Sequence, residues 1–286
     1  MAQQPFISRR ERFAVVGSTN DVVREWLAAG TPEVCLAIAG EQSAGRGREG
    51  RTWVAPPGAA LLMSIGFRPT WLPPERAWRL AATASLAMAE AAEAMIGLLG
   101  GTVRLKWPND LVLDAADVGG AGVGGAGVGR PGVGGWRKLG GVLGESDGLG
   151  TSDPRVVIGM GINADWSEAD FPADLADDMT SLRVASGDGA VDALALVEAF
   201  VGFLEDRVMS LRRGSFDAAA WHARQATTGR TIRLELPDGT ADVVRALAVD
   251  SETGALIVQG DPDEPERQVL SAEVRHLRLG TTAGMV

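Results

Sequence analysis

A glycine-rich loop between two apolar segments is the feature that most restricts how this chain can fold. The loop, SAGRGREGRTW, occupies residues 43–53. The apolar run EVCLAIAG precedes it at 33–40, and ALLMSIGF follows at 60–67. Short continuous apolar runs bounded by Gly and Pro are typical of buried strands. The loop is therefore predicted to join two strands of a sheet.

The spacing of the glycines also fits two nucleotide-binding patterns. Gly45-x-Gly47-x-x-Gly50 matches the dinucleotide fingerprint, and Gly45-x4-Gly50-Arg51-Thr52 matches a phosphate loop with arginine in place of lysine. Both sites need a helix that begins within the loop, because its N-terminal amides hold the phosphate. Two prolines follow the loop instead. This disfavours both patterns, and with them a nucleotide-dependent oxidoreductase.

The rest of the first 227 residues predicts a mixed sheet flanked by helices. Ser18 and Asp21 form an S-x-x-D capping pattern for a helix that stops at Gly30. Pro108-Asn109-Asp110 is predicted to turn between two strands. Further strands are predicted at 13–17, 136–146 and 155–163, and further helices at 73–96 and within 191–211.

The C-terminal part has a different texture. After Gly229 come short alternating segments, RTIRLEL, ADVVRALAV, GALIVQG and RQVLSAEVRHLRL, broken by Asp-Gly and Thr-Gly turns. This pattern predicts a small barrel-like β domain over residues 228–286, after a catalytic-sized domain over 1–227. The chain is thus expected to be α+β with two domains.

A low-complexity insertion of about 115–136 interrupts the first domain. Ten of the 38 glycines lie in it. Ordering such a segment would cost about 1–2 kcal/mol per residue in backbone entropy, and scattered valines bury little surface to offset that cost. We therefore expect a flexible loop here, not a phosphate cradle.

Composition excludes several classes of protein. The 27 Lys and Arg against 37 Asp and Glu give a formal charge of −10, which disfavours nonspecific binding of nucleic acid. The single cysteine, Cys35, cannot form an intramolecular disulfide, so we expect a reducing, cytoplasmic location. No uninterrupted apolar window reaches the roughly 18 residues of a membrane span. His222 and His276 lie far apart in the sequence, and no Cys/His spacing suggests a structural transition metal.

Polar landmarks occur where the predicted strands end. They are Ser18-Thr19-Asn20, Gln42 with residues 45–53, Lys106 to Asp110, Lys138 to Gly141, and Gly159 to Asn163. Such positions can converge on one mouth of a sheet. Arg46, Arg48, Arg51, Lys106 and Lys138 would then form a local surplus of cations in an acidic chain, which predicts a polyanionic ligand such as a triphosphate or pyrophosphate.

The same landmarks predict the kind of chemistry. Asp110 is the candidate ligand for magnesium, which needs only one or two protein ligands. Cys35 has no evident catalytic partner, and no serine lies in a G-x-S-x-G elbow. This favours a reaction run by positioning and charge stabilisation, such as attack of a substrate carboxylate on a phosphoanhydride.

Four motifs in one order, GRGREGRTW, KWPNDL, KLGGVLGE and VIGMGIN, resemble the biotin protein ligase family. The resemblance runs from about residue 18 to 182 and continues into the β domain. It implies a class II synthetase-like catalytic domain with a C-terminal SH3-like β-barrel. It also implies that biotin and ATP, with Mg²⁺, form biotinyl-AMP, and that biotin passes to a lysine of the biotin carboxyl carrier domain of a carboxylase.

Matching the motifs position by position implies a role for each residue. The implied biotin-binding residues are Ser18, Thr19, Asn20, Gln42, Gly45, Arg46, Gly47, Arg48, Lys138 and Gly141. The implied ATP-binding residues are Arg46, Arg48, Arg51, Lys106, Asn109 and Asn163. Arg48, Lys138 and Asp110 are implied to be catalytic, with Asp110 also on the metal. The glycine loop would act as a lid that keeps water from the acyl-adenylate, with Trp53 as its anchor or as part of the strand-edge core.

One difference from the family and two rival functions bear on this interpretation. Family members that repress transcription carry a helix-turn-helix before the catalytic domain, whereas 17 residues precede Ser18, so DNA binding is not expected. The resemblance is compatible with a homodimer. A lipoate–protein ligase shares the fold but lacks the GRGRxGRxW and KWPND pairing. A catalytically silent biotin-binding module is disfavoured by Arg48, Asp110 and Lys138.

Overall fold

The computed structural model describes residues 5–115, 135–270 and 273–276. Most of the predicted glycine-rich insertion, residues 116–134, lies outside the described residues. Among the described helices, none combines the length and the apolar composition needed to cross a membrane.

A seven-stranded mixed sheet forms the first domain. Its strands are β1 (Arg9–Val16), β2 (Cys35–Gln42), β3 (Ala60–Phe67), β4 (Arg104–Lys106), β5 (Asp110–Asp114), β6 (Trp136–Asp147) and β7 (Arg155–Asn163). Their order is β1-β2-β3-β7-β6-β5-β4. Strands β1 and β2 are parallel, and every other neighbouring pair is antiparallel. The prediction that the glycine loop joins two strands, β2 and β3, is confirmed.

Helices cover both faces of this sheet. They are α1 (Thr19–Ala28), α2 (Trp78–Ile96), α3 (Leu182–Ala185), α4 (Ala193–Arg212) and α5 (Ala218–Ala223). Alternation along β2 separates the two faces: Leu36 and Ile38 belong to the main core with α2 and α4, whereas Cys35 and Ala37 pack with α1. The sequence did not predict the short helices α3 and α5.

Helix α2 is apolar around most of its circumference because it is covered on two sides. It contacts the sheet and α4. Leu80, Leu86 and Met88 are at most 1% exposed, and each fully buried side chain of this kind contributes about 1.5–3 kcal/mol. A short 3₁₀ turn, Pro74–Arg76, precedes the helix, and Gly97 ends it in the left-handed conformation with φ of 70°.

The second domain is a small antiparallel sheet. Its strands are β8 (Thr231–Glu235), β9 (Ala241–Val249), β10 (Leu256–Gln259), β11 (Arg267–Val269) and β12 (Glu273–His276), in the order β11-β10-β9-β8-β12. The β domain is confirmed, but in the described part of the chain the sheet is not closed into a barrel. The segment predicted as one strand at 267–279 is divided, because β11 pairs with β10 while β12 pairs with β8 at the other edge.

Candidate active site

A cavity of about 150 Å³ opens on the α1 face of the first sheet. The predicted site residues that line it are Ser18, Thr19, Asn20, Gln42, Arg46, Gly47, Arg48, Arg51, Lys106, Asn109, Asp110, Lys138 and Gly141. The lining also includes residues outside the predicted set, among them Trp107, Leu143, Gly159, Gly161 and, from the second sheet, Val274. Residues from distant parts of the sequence therefore meet at one place, some at strand ends and others, on β6 and β7, within the strands.

Buried polar side chains form one end of the cavity. Gln42 Oε1 accepts two hydrogen bonds from Thr19, at 2.7 Å from the backbone N–H and at 3.0 Å from the hydroxyl. Thr19 Oγ1 lies 2.7 Å from Ser64 Oγ, which donates to Asn20 Oδ1 at 2.5 Å. Since Gln42 holds Thr19 through its carbonyl oxygen, its amide nitrogen is the group that can donate to a ligand.

The helix that carries these residues starts differently from the prediction. Ser18 is at the N-cap position of α1, but its side chain makes no capping hydrogen bond. Ser18 lines the cavity instead, and Asp21 is bonded to two arginines. The capping pattern thus located the start of the helix correctly but gave the wrong partners for both side chains.

Arg46 attaches the glycine loop to α1. Its Nη1 and Nη2 donate to the two carboxylate oxygens of Asp21 at 2.7 and 2.8 Å, and Nη2 lies 3.5 Å from Glu145 Oε1. The Arg46 guanidinium holds the pKa of Asp21 below its usual value, and Arg24 adds to this effect. Glu145 also accepts hydrogen bonds from Asn20 and Arg24, at 2.8 and 2.6 Å.

The glycine loop itself is a small hairpin. Arg46 pairs with Thr52 in an antiparallel bridge, and Gly47 N donates to Arg51 O at 2.7 Å. A single 3₁₀ turn, Arg48–Gly50, forms its tip, so no α-helix begins in the loop. Gly45 is outside the cavity lining; its carbonyl accepts a 3.0 Å hydrogen bond from Trp53 N.

The indole of Trp53 lies on the floor of the cavity, on two residues that have no side chain. A Cβ added to Gly161 would come within 2.6 Å of Trp53 Cε2, and one added to Gly141 would lie 3.6 Å from Trp53 Cζ3. Lys138 Nζ is 5.7 Å from the centre of the Trp53 ring. The close approach of the ring requires glycine at 161.

Lys138 and Asp110 face each other at the other end of the cavity. Lys138 Nζ lies 2.7 Å from Asp110 Oδ1. Asn109 is fixed to β6, since its Nδ2 donates to Val142 O at 3.0 Å and its own carbonyl accepts from Val142 N at 2.9 Å. Asp110 therefore has a set position relative to the lysine on β6.

Asn163 does not line the cavity. It is 3% exposed, and its Nδ2 donates to Thr180 O at 2.9 Å. Thr180 N in turn donates to Lys138 O, and Lys138 N donates to Asp178 O. Asn163 thus supports the segment that holds the Lys138 backbone.

The charges define what the cavity can bind. Among the described residues, its lining contains five cationic side chains and one carboxylate, that of Asp110. The described residues contain no cluster of three His, Cys, Asp or Glu groups able to hold a metal. The site suits an elongated ligand with a polar, uncharged end at Thr19 and Gln42 and an anionic end at Lys138.

Three residues important to this geometry were not predicted as site residues. Ser64 is the only polar side chain in the apolar run at 60–67, and that isolation was a usable signal. Glu145 is separated from Asn20 by 125 positions, and nothing local indicates their contact. In the sequence, Asp21 stands out only as part of the capping pattern.

Comparison with known proteins gives consistent matches. Residues 13–163 match the Biotin/lipoate A/B protein ligase family. The biotin–[acetyl-CoA-carboxylase] ligase of Mycobacterium tuberculosis is 30% identical over 241 residues, 84% of this chain and 79% of the relative. The bifunctional ligase/repressor BirA of Bacillus spizizenii is 28% identical over 262 residues, 91% of this chain and 71% of the relative.

Solved structures agree on the fold. The biotin protein ligase from Aquifex aeolicus in complex with biotin and ATP superposes with a TM-score of 0.71 at 20% identity, covering 94% of this chain and 99% of that one. The Leishmania major biotin protein ligase in complex with biotin has a TM-score of 0.57 at 25% identity, covering 95% and 100% of the two chains.

Proposed function

Because the chain belongs to the biotin/lipoate A/B protein ligase family, we propose that it is an ATP-dependent biotin protein ligase. It activates biotin as biotinyl-AMP and transfers biotin to a specific lysine of the biotin carboxyl carrier domain of biotin-dependent carboxylases. One observation carries this proposal: a buried polar pocket for an uncharged ring and a cluster of cations for phosphate share one cavity.

The polar end of the cavity suits the ureido ring of biotin. Thr19 and Gln42 are oriented by their mutual hydrogen bonds, so each presents a defined group to a ligand. The ureido ring has one carbonyl and two N–H groups, which can pair with the polar groups of Thr19 and Gln42. An analogue without these groups leaves buried partners unpaired, which can lower kcat/KM by about 10⁴-fold.

The cationic end suits the first chemical step. An oxygen of the biotin carboxylate attacks the α-phosphorus of ATP, a new P–O bond forms, and the bond to the departing pyrophosphate breaks. Lys138 would leave Asp110 for the developing negative charge, and Arg48 and Arg51 would hold the phosphates. Preorganised charges of this kind commonly contribute 10²-fold or more to the rate.

Asp110 fits a magnesium ion that enters together with ATP. Its carboxylate is the only one that lines the cavity among the described residues, and magnesium often uses one protein carboxylate plus substrate phosphates. When bound, the ion would neutralise phosphate charge. Lys106 would contact phosphate and Asn109 the nucleotide, whereas Asn163 would act through the segment that holds Lys138.

The second step consumes the adenylate. The neutral amine of the acceptor lysine attacks the acyl carbon, a C–N bond forms, AMP leaves, and the amine loses a proton. The glycine loop carries Arg46, Gly47 and Arg48 at the cavity. Its role is to exclude water, because an acyl-adenylate hydrolyses when water enters.

The test is transfer of labelled biotin to a purified carrier domain with ATP and Mg²⁺. We expect transfer by the wild-type protein and a loss of 10²-fold or more in Lys138→Ala and Arg48→Ala. Arg245→Ala, an exposed arginine on β9, is the matched control and should keep the wild-type rate.

Each contrary result has a separate meaning. No transfer by the wild-type protein, or transfer of lipoate in preference to biotin, would refute the proposed activity. Normal rates in both cavity variants would leave the activity standing and refute the assignment of the site.

A further inference from the structure

One turn of the second sheet touches a side chain that lines the candidate site. The turn covers residues 250–254 and connects β9 to β10. The carbonyl oxygen of Gly254 accepts a 3.0 Å hydrogen bond from Trp107 Nε1. Trp107 is 4% exposed, lines the cavity and directly precedes the Pro108-Asn109-Asp110 turn. This hydrogen bond links the second domain to the segment that carries Asp110.

Internal hydrogen bonds fix the shape of this turn. Gly254 N donates to Asp250 O at 2.8 Å, and Asp250 Oδ1 accepts from the backbone N–H groups of Glu252 and Thr253 at 2.6 and 3.2 Å. Gly254 has a φ of +74°, a conformation that other residues adopt only with strain. A Cβ there would also lie 2.9 Å from Trp78 Cδ2. The turn therefore fits against α2 only with glycine at this position.

Two neighbouring residues of α2 hold the turn from the other side. Trp78 Nε1 donates to Glu252 O at 3.2 Å. Arg79 Nη2 donates to Ser251 O at 2.7 Å and lies 3.0 Å from the Glu252 carboxylate. Arg79 is 5% exposed, and hydrogen bonds from a charged donor are stronger than neutral ones. The turn is thus anchored to α2 independently of Trp107.

The backbone of Trp107 is held by the chain that leads into the second sheet. Trp107 N donates to Thr227 Oγ1 at 3.1 Å. Immediately before it, Leu105 N donates to Arg224 O at 2.8 Å, and Ala226 N donates to Leu105 O at 2.9 Å. Both the backbone and the indole of Trp107 are therefore bonded to the second domain or to the segment that enters it.

We propose that Trp107 is a positioning residue, held by the turn at 250–254 so that Asn109 and Asp110 face the nucleotide. This inference rests on the proposed function. The second domain then contributes to adenylate formation through the hydrogen bond between Gly254 O and the Trp107 indole. The biotin pocket lies at the other end of the cavity, so biotin binding should not depend on this link.

Two variants of the full chain test the link by biotin-dependent exchange of pyrophosphate with ATP. Trp107→Phe keeps an aromatic ring but removes the N–H that bonds Gly254. Gly254→Ala forces the turn away from Trp78. We expect kcat to fall about tenfold in each, with the KM for biotin within twofold of wild type.

The matched control is Gly239→Ala, in the β8–β9 turn of the same sheet. Gly239 has a comparable φ of +85°, but a Cβ there would have no atom within 4 Å. The control variant should have similar backbone strain and should keep the wild-type rate of pyrophosphate exchange. The double variant Trp107→Phe/Gly254→Ala should lose no more than about the worse single variant, because both changes remove one link.

Several results would overturn the inference. They are wild-type exchange in Trp107→Phe, equal losses in Gly254→Ala and Gly239→Ala, or a double variant whose loss is the product of the two single losses. Trp107→Phe is the decisive variant if Gly254→Ala does not fold. No biotin-dependent exchange by the wild-type protein would refute the proposed function instead.

Discussion

Arg46 and Asp21 form a two-point ion pair that fastens the glycine loop to the first turn of α1, with N–O distances of 2.7 and 2.8 Å. The pair joins a lid candidate to the helix that carries Thr19 and Asn20. Loop position and pocket geometry are therefore coupled through Asp21 and also through Glu145, which lies 3.5 Å from Arg46 and accepts a hydrogen bond from Asn20.

Removal of that carboxylate should loosen the loop. In Asp21→Asn we expect the backbone amides of residues 46–52 to exchange with deuterium roughly fivefold faster, since an exposed ion pair contributes about 1 kcal/mol or less. Asp188→Asn, which removes the exposed partner of Arg183, should leave loop exchange unchanged. Equal exchange in the wild type and Asp21→Asn would show that the loop is held by other contacts.

The pH dependence of this attachment follows from the lowered pKa of Asp21. A carboxyl with a depressed folded-state pKa gives stability that is fully present above its unfolded value and is lost as the pH falls through the folded value. Loop protection, corrected for intrinsic exchange, should therefore be the same at pH 7 and pH 5. A loss of protection between these two pH values would contradict the assignment.

Ser64 should affect biotin affinity without touching biotin. Its hydroxyl is wholly buried and bridges Thr19 and Asn20. In Ser64→Ala the KM for biotin should rise about fivefold to tenfold, because one buried partner is left unsatisfied, while kcat stays within twofold. Steady-state kinetics of the exchange reaction measure both values.

Ser85→Ala is the matched control for that prediction. Ser85 is 7% exposed in α2, and its hydroxyl donates to Ala81 O at 2.8 Å. Its KM for biotin should equal the wild-type value. If both serine variants change KM equally, the effect is one of core packing and not of pocket orientation.

The ion pair of Glu93 and Arg224 should matter for stability. Their side chains are 5% and 9% exposed, and the shortest distance is 2.7 Å. Glu93→Gln leaves the arginine buried without a counter-charge, so the free energy of unfolding should fall by about 3 kcal/mol. Urea unfolding measures this, with Asp242→Asn as a control at an exposed pair that should change stability by less than about 1 kcal/mol.

Cys35 should be inert to alkylation in the folded protein. Burial raises the pKa of its thiol to about 11, from 9.0. At pH 8 the thiolate fraction is then about a hundredfold lower than for an ordinary thiol, and iodoacetamide labelling should be slower by at least that factor than in urea. The raised pKa also means that folding stability falls as the pH rises from 9 towards 11. Equal labelling rates in buffer and in urea would contradict the burial of this side chain.

The positions of the strands and of most of the cavity lining could be predicted from the sequence because their signals are local. Apolar runs of strand length between Gly and Pro located β2, β3 and β7, and the Pro108-Asn109-Asp110 turn was predicted correctly. The sequence predicts that Lys138 and Asp110 share one mouth of the sheet, but their contact depends on the register of β5 and β6, in which Asp110 pairs with Gly141 and Lys138 with Val112. The structure places Lys138 Nζ 2.7 Å from Asp110 Oδ1.

Contacts between segments that are far apart in the sequence could not be predicted in this way. Asn163 is on the same face of β7 as Gly159 and Gly161, so alternation alone points it toward the cavity. Residues around Thr180 return over the end of the strand and cover it. The division of the last predicted strand has a similar cause, since the two halves pair at opposite edges of the second sheet.

Gly159 and Gly161 have no side chains, and Asn20 and Trp53 occupy the volume that side chains would take there: an added Cβ would lie 2.2 Å from Asn20 Oδ1 at Gly159 and 2.6 Å from Trp53 Cε2 at Gly161. Substitution at these two glycines cannot make room for a larger biotin analogue, because glycine has no side chain to shorten. Redesign for bulkier substrates should begin at Leu143, which lines the cavity and pairs with Gly159 on the neighbouring strand.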